Sequence, residues 1–203
     1  MLVDGWAAVE RELPPLGLRV SAPVVADLDV LRRLWRRAPD GFSFSPGDTC
    51  PDNHVLVSDE VRFFDVDFCS FHPTAVDAAY YARPHFPTCN FVAELPTAVT
   101  GRAAAVFARR VPVDEGDVHA ASAAWTVLNA GWLLATALAG DRQLGPTSYR
   151  QMLLWRLGAT AERCREVGAL KALGTLLGDL AGALTAGWPE VGPLATYPAF
   201  LTP

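Results

Sequence analysis

The chain of 203 residues is 51% hydrophobic and 19% charged, which excludes a disordered polymer and allows one domain with its own core. Its net charge of −5 argues against a nucleic-acid binder, which must gather basic side chains against phosphates. No basic stretch followed by an apolar run opens the sequence, so no secretory signal is expected; four cysteines in that setting point to reduced thiols and a cytoplasmic location.

The opening residues to about Leu13 read as a short helix with Trp6, Val9 and Leu13 on one face, ended by Pro14-Pro15. A second helix is expected from about Pro23 to Ala38. Val24, Leu28, Leu31, Leu34 and Trp35 form its apolar side, and Arg32, Arg33, Arg36 and Arg37 lie on its solvated face. The pattern then changes. Two short apolar runs, His54–Val57 and Val61–Asp65, flank Ser58-Asp59-Glu60 and predict one small hairpin, followed by a short helix over Val76–Arg83 with Asp77 near its start.

From about Glu115 onward the chain reads as helical. Ala120–Ala139 carries no charged residue and has the nominal length of a membrane span, but it is Ala-rich, interrupted by Ser122, Thr126, Asn129 and Thr136, and lacks a basic flank. A helix of roughly Val118–Leu138, buried on all sides, is the expectation, and no membrane partner is expected. A second helix follows Pro146, and a third covers about Glu162–Ala186. In the last, Gly174, Gly178 and Gly182 share a face that permits close helix packing inside one domain or, alternatively, a homodimer seam. The expectation is a single, mainly α domain over residues 1–203 carrying one small β-hairpin.

The residues that carry chemistry lie within 42–83. They are Pro46-Gly-Asp-Thr-Cys-Pro-Asp-Asn53, then the hairpin, then Phe63-Phe-Asp-Val-Asp-Phe68. Phosphoryl transfer to a hydroxyl needs a carboxylate beside the acceptor to orient it and take its proton. It also needs a few hard oxygen ligands that hold magnesium against the phosphates. Asp48 suits the first role. Asn53 on the same loop and Asp65 beyond the hairpin suit the second, and Asp67 is a candidate further ligand on the assumption that it shares strand parity with Asp65. Asp65 sits among Phe63, Phe64, Val66 and Phe68, where burial without a partner would be costly. Each also has a plainer reading: Asp48 as a turn or N-cap residue, and Asp52-Asn53 as turn chemistry.

This segment resembles the catalytic and metal loops of the aminoglycoside-phosphotransferase and choline-kinase-like enzymes, of the protein-kinase-like fold. Gly47, Asp48, Pro51 and Asn53 match their His-Gly-Asp-x-x-x-x-Asn loop, Phe64-Asp65-Val66-Asp67 is similar to their metal-binding strand end, and Asp77-Ala-Ala-Tyr80 to the aspartate that braces the catalytic loop. The resemblance implies a helical C-lobe, Mg²⁺ and ATP as cofactors, and a small-molecule hydroxyl acceptor, with Asp48 as base, Asn53 and Asp65 as metal ligands and Asp77 as brace.

The chain departs from that pattern in three ways. Pro46 replaces the family's His. Residues 1–46 read as helices where an N-terminal β-rich lobe would stand. The sole lysine, Lys171, lies after the loops, and no G-x-G pattern exists to cover phosphates. The expectations are therefore a phosphotransferase lobe whose nucleotide lobe comes from elsewhere, such as a second chain; a non-catalytic pseudokinase-like binding module; or a helical protein holding a metal through Cys50/His54, Cys69/His72 and His85/Cys89, pairs that lack zinc-knuckle spacing.

Overall fold

The structure is a computed structural model that describes residues 2–36, 41–48, 53–80 and 96–195. It is mainly α. In chain order the elements are α1 (Leu2–Glu12), α2 (Ala22–Leu34), β1 (Phe42–Ser45), β2 (His54–Val57), β3 (Glu60–Phe63), β4 (Ser70–Pro73), α3 (Thr74–Tyr80), α4 (Thr97–Arg110), α5 (Glu115–Ala139), β5 (Gln143–Leu144), β6 (Thr147–Ser148), α6 (Tyr149–Val167) and α7 (Lys171–Gly187).

The core is helical and centres on α5. Asp114 caps this helix by accepting from Asp117 N at 3.0 Å, and its buried positions, from His119 to Ala137, run around the whole cylinder. Small residues dominate them, so neighbours can approach closely. Where α1 crosses α5, a Cβ on Gly131 would stand 2.5 Å from the Gly5 carbonyl oxygen, so this contact admits only glycine. Trp6, Val9 and Leu13 of the first segment, with Val24, Leu28 and Leu31 of α2, complete one apolar cluster with α5, α6 and α7. Among the described residues α5 is the one helix long and apolar enough to cross a membrane, and most of it is packed inside this core.

The β-structure and the C-terminal helices depart from expectation. Three two-stranded antiparallel pairs are present among the described residues, not one hairpin: β1–β4, β2–β3 and β5–β6. The β2–β3 pair is the expected hairpin, closed by Ser58 and Asp59, both with positive φ as a tight two-residue turn demands. The pair β1–β4 joins residues far apart in sequence, which local alternation does not reveal. Helix α4 went unanticipated: none of its described side chains is fully buried, and its part-buried stripe of Val99, Ala103 and Phe107 is short and interrupted by small residues.

The last two helices break at Gly168, not near Glu162. Gly168 takes φ +72 as the C-cap of α6, and Pro146 precedes the true N-cap, Ser148, which forms a reciprocal capping box with Gln151. On the face of Gly174, Gly178 and Gly182, a Cβ on Gly174 would lie 2.5 Å from Cys164 Cβ and one on Gly178 would touch Ala161, so these two glycines pack against α6 within the chain, while a Cβ on Gly182 would meet open space.

A second, smaller cluster positions the site. Leu34, Ala75, Val76, Ala79 and Ala121 pack together with Trp125 and Val118, fixing α3 to α2 and α5. Trp125 Nε1 also donates to the Val76 carbonyl at 3.3 Å. Since α3 continues directly from β4, the loops at the other end of the β1–β4 pair are held over α5.

Candidate active site

The register of β1 on β4 runs from Phe42↔Pro73 to Ser45↔Ser70. Continuing two residues past Ser45 and Ser70 brings Gly47 against Phe68, the far end of the segment that carries Asp65 and Asp67. The approach is close enough that a Cβ on Gly47 would collide with the Phe68 carbonyl, and Gly47 takes φ +82. Glycine is required here on both counts.

Two hydrogen bonds tie the remaining loop residues to the same place. Asn53 Nδ2 donates to the Asp48 carbonyl at 3.4 Å, and Phe64 N donates to the Asn53 carbonyl at 3.0 Å. Asn53 is thus tied by its side chain to the Asp48 backbone and by its carbonyl to Phe64, the residue before Asp65. The negative charge of Asp48 also reaches His54, where it partly offsets the burial that pushes the imidazole pKa down.

Asp65 and Asp67 differ from expectation. Strand β3 ends at Phe63, and Asp65 follows in the left-handed region with φ +54. Such backbone is sparsely populated by non-glycine residues and gathers at functional turns. Asp67 lies in the turn closed by Cys69 N donating to the Val66 carbonyl at 3.0 Å, so the expected strand parity between the two carboxylates does not exist. Nor is Asp65 buried. Phe63, Phe64, Val66 and Phe68 are themselves 47–61% exposed, and the argument from buried charge falls away. Among the described residues no three His, Cys, Asp or Glu side chains lie close enough to hold a metal, so Asp48, Asp65 and Asp67 form no carboxylate cluster. An ion bound here would rely on Asp65 and Asn53 with non-protein oxygens.

Asp77, in the first turn of α3, accepts at Oδ1 from Ser45 Oγ at 2.8 Å and contacts His72 Nε2 at 3.1 Å. Ser45 Oγ in turn accepts from Gly47 N at 3.0 Å. A continuous chain of contacts runs from α3 through the fully buried Ser45 to the residue before Asp48. Ser45 and His72 were not singled out for this role in sequence. The only signal was their alternation on strands whose pairing could not be foreseen. Of the Cys/His pairs, Cys50, His85 and Cys89 lie outside the described residues, Cys69 is exposed, and His72 is engaged by Asp77.

Beside Asp48 opens a cavity of about 530 Å³; a hollow shared by Asp48, Asn53 and Asp65 is what the phosphotransferase reading requires, and of the three only Asp48 is among its described lining. Its described walls include Gly47, Asp48, Phe68 and His72 from the loops, Trp35 from the end of α2, Tyr80 from α3, Trp125, Asn129 and Trp132 from α5, and Arg156 from α6. Tyr80 and Trp125 meet edge-to-face at 6.0 Å. Arg156 Nη1 donates to Asn129 Oδ1 at 2.7 Å, and Asn129 Nδ2 donates to the Trp125 carbonyl at 2.8 Å. The aspartate that suits a general base therefore faces a hollow large enough for a small molecule. No protein-family model and no curated protein matches this chain.

Proposed function

We infer that this chain is the acceptor-binding, catalytic lobe of a small-molecule phosphotransferase of the aminoglycoside- and choline-kinase-like type. The observation that carries the reading is the placement of Asp48. It faces the cavity, while its loop is joined by hydrogen bonds and close packing to the turn that bears Asp65. In this reading Asp48 would orient an acceptor hydroxyl in the cavity and take its proton as the acceptor oxygen displaces ADP from the γ-phosphorus of ATP. Asp77, through Ser45 and Gly47 N, keeps the Asp48 loop in place. In this reading Asn53 and Asp65 would hold magnesium: Nδ2 of Asn53 is spent on the Asp48 carbonyl, which leaves Oδ1 to serve as a ligand atom, and the Asp65 residue is exposed. Magnesium bound there supplies charge neutralisation at the transferring phosphate.

The residues present do not fit ATP in the same way. The described part of residues 1–46 forms α1, α2 and β1, and Lys171 opens α7 rather than reaching the loops. Clamping of the nucleotide is therefore assigned to a β-rich lobe on a second chain or another segment, leaving this chain to hold Mg²⁺-ATP through its metal loop alone. An exposed apolar surface supports this: Val55, Leu56, Val57, Val61, Phe63, Phe64, Val66 and Phe68 are 37–69% exposed around the metal loop. A patch of that kind is a docking surface more often than a free one. We extend the same reading to a cytoplasmic location, with the four cysteines read as reduced thiols.

The second reading is a non-catalytic binding module that keeps the loops without a nucleotide clamp, favoured by that missing clamp. Thermal melting with and without Mg²⁺-ATP separates the two, since a ligand that binds only the native state raises the melting temperature. The phosphotransferase reading expects a rise that Asp65→Asn abolishes, with weak or no transfer by this chain alone. No rise at millimolar Mg²⁺-ATP favours the binding module.

A further inference from the structure

We propose that Ser70 is a nucleophile toward esters whose flat, apolar acyl group sits in the cavity beside Asp48, with His72 as its base and Asp77 as the residue that positions the imidazole. The proposal is independent of the phosphotransferase reading and needs neither nucleotide nor metal.

Ser70 and His72 are two residues apart on β4, so their side chains share a face, and both line the cavity. Phe71 between them turns the other way, onto Phe44 at 5.5 Å. The His72 ring is held at both nitrogens. Its Nε2 stands 3.1 Å from Asp77 Oδ1, and its Nδ1 stands 3.4 Å from Ser70 Oγ. A carboxylate only accepts, so the nitrogen facing Asp77 carries the proton, and in the neutral ring the lone pair is left on Nδ1, toward the Ser70 hydroxyl. Asp77 is fixed in turn by Ser45 Oγ at 2.8 Å. The brace on the Asp48 loop runs through Asp77 and Ser45 and makes no use of Nδ1 or of Ser70. Ser70 is exposed whereas His72 is 9% exposed, which suits an attacking hydroxyl with a sheltered base. A separation of 3.4 Å is ordinary for such a pair before substrate closes on it. The faces of Phe68, Trp125 and Trp132 are placed to receive a flat acyl group.

In the proposed step Ser70 Oγ bonds to the ester carbonyl carbon as its proton passes to His72 Nδ1. The bond from that carbon to the alcohol oxygen then breaks, and the proton leaves on the departing alcohol. The charge of Asp77 steadies the imidazolium in between. Water, giving a proton to the same nitrogen, releases the acid and restores the serine.

The probe is 4-nitrophenyl benzoate, applied in a Cys69→Ala background because that neighbouring thiol is exposed. Peptide mass mapping at successive times follows where the benzoyl group goes. Transfer to Ser70, absent in Ser70→Ala, is expected, and His72→Gln should slow it about 100-fold. If that variant fails to fold, Asp77→Asn decides instead. It keeps an accepting oxygen but loses the charge, and labelling of Ser70 should slow at least about tenfold while thermal melting still shows a folded protein. Benzoyl groups on other residues only, none at millimolar ester, or an unchanged rate at Ser70 in these variants overturns the proposal. Absence of phosphoryl transfer in a separate assay bears on the phosphotransferase reading alone.

Discussion

Replacing Asp77 by Ala removes the acceptor that links α3 to the Asp48 loop. Asp77 Oδ1 receives Ser45 Oγ and contacts His72 Nε2; the Asp77 side chain is 14% exposed and that of His72 11%. Hydrogen bonds to charged groups contribute about 1.5–3 kcal/mol each, and the low end applies at this partial exposure, giving about 3 kcal/mol for the pair. For a domain of this size that corresponds to a fall in Tm of roughly 6–12 °C. Asp77→Asn retains an accepting oxygen and should cost only about 1 kcal/mol. The relay can be tested by urea melts of Asp77→Ala, Ser45→Ala and the double variant, followed by tryptophan fluorescence. Because one hydroxyl joins both contacts, a coupling of about 1–2 kcal/mol is expected. Additive costs, within about 0.5 kcal/mol, would refute a relay through Ser45.

Gly47→Ala forces a side chain into the Phe68 carbonyl at a positive φ, so it should cost more than about 2 kcal/mol in the same melts; wild-type stability would contradict the close crossing. Burial pushes the Cys164 thiol up to about 11, whereas Cys69 is exposed. In a Cys50→Ser/Cys89→Ser background at pH 8, an aromatic disulfide reagent should titrate Cys69 rapidly and Cys164 only after denaturation. For His119, burial and then Arg163 push the pKa down, partly offset by the Ala169 backbone. The native state thus prefers the neutral ring, so its stability is fully present above the unfolded pKa of about 6.5 and is lost as pH falls toward the lower folded value. Tm should drop between pH 7.5 and 5.5, and less steeply in His119→Gln; an unchanged slope would count against it.

The helical part of the fold was legible because its stripes are simple: Trp6 and Val9 on α1, Leu13 just past its end, and Val24, Leu28, Leu31 and Leu34 on α2 are all buried as their spacing implies, whereas Trp35, expected on the same apolar side, caps α2 and is 37% exposed. A break at Gly168 was harder to read, because apolar residues continue on both sides and only the left-handed cap interrupts them. In the site, Asp48, Asn53, Asp65 and Asp77 could be named from their order along thirty-odd positions. How they connect could not, since Ser45 and His72 meet Asp77 through a long-range strand pair. The walls of the cavity were invisible for the same reason. Trp35, Tyr80, Trp132 and Arg156 come from four helices whose packing angles no local pattern encodes.

The position of a divalent ion tests the central idea most directly. Crystals grown with Mn²⁺ and a non-hydrolysable ATP analogue, examined by anomalous scattering, should show a peak about 2.1 Å from a carboxylate oxygen of Asp65 and from Asn53 Oδ1. A peak at other residues only, or none at saturating Mn²⁺, would contradict it.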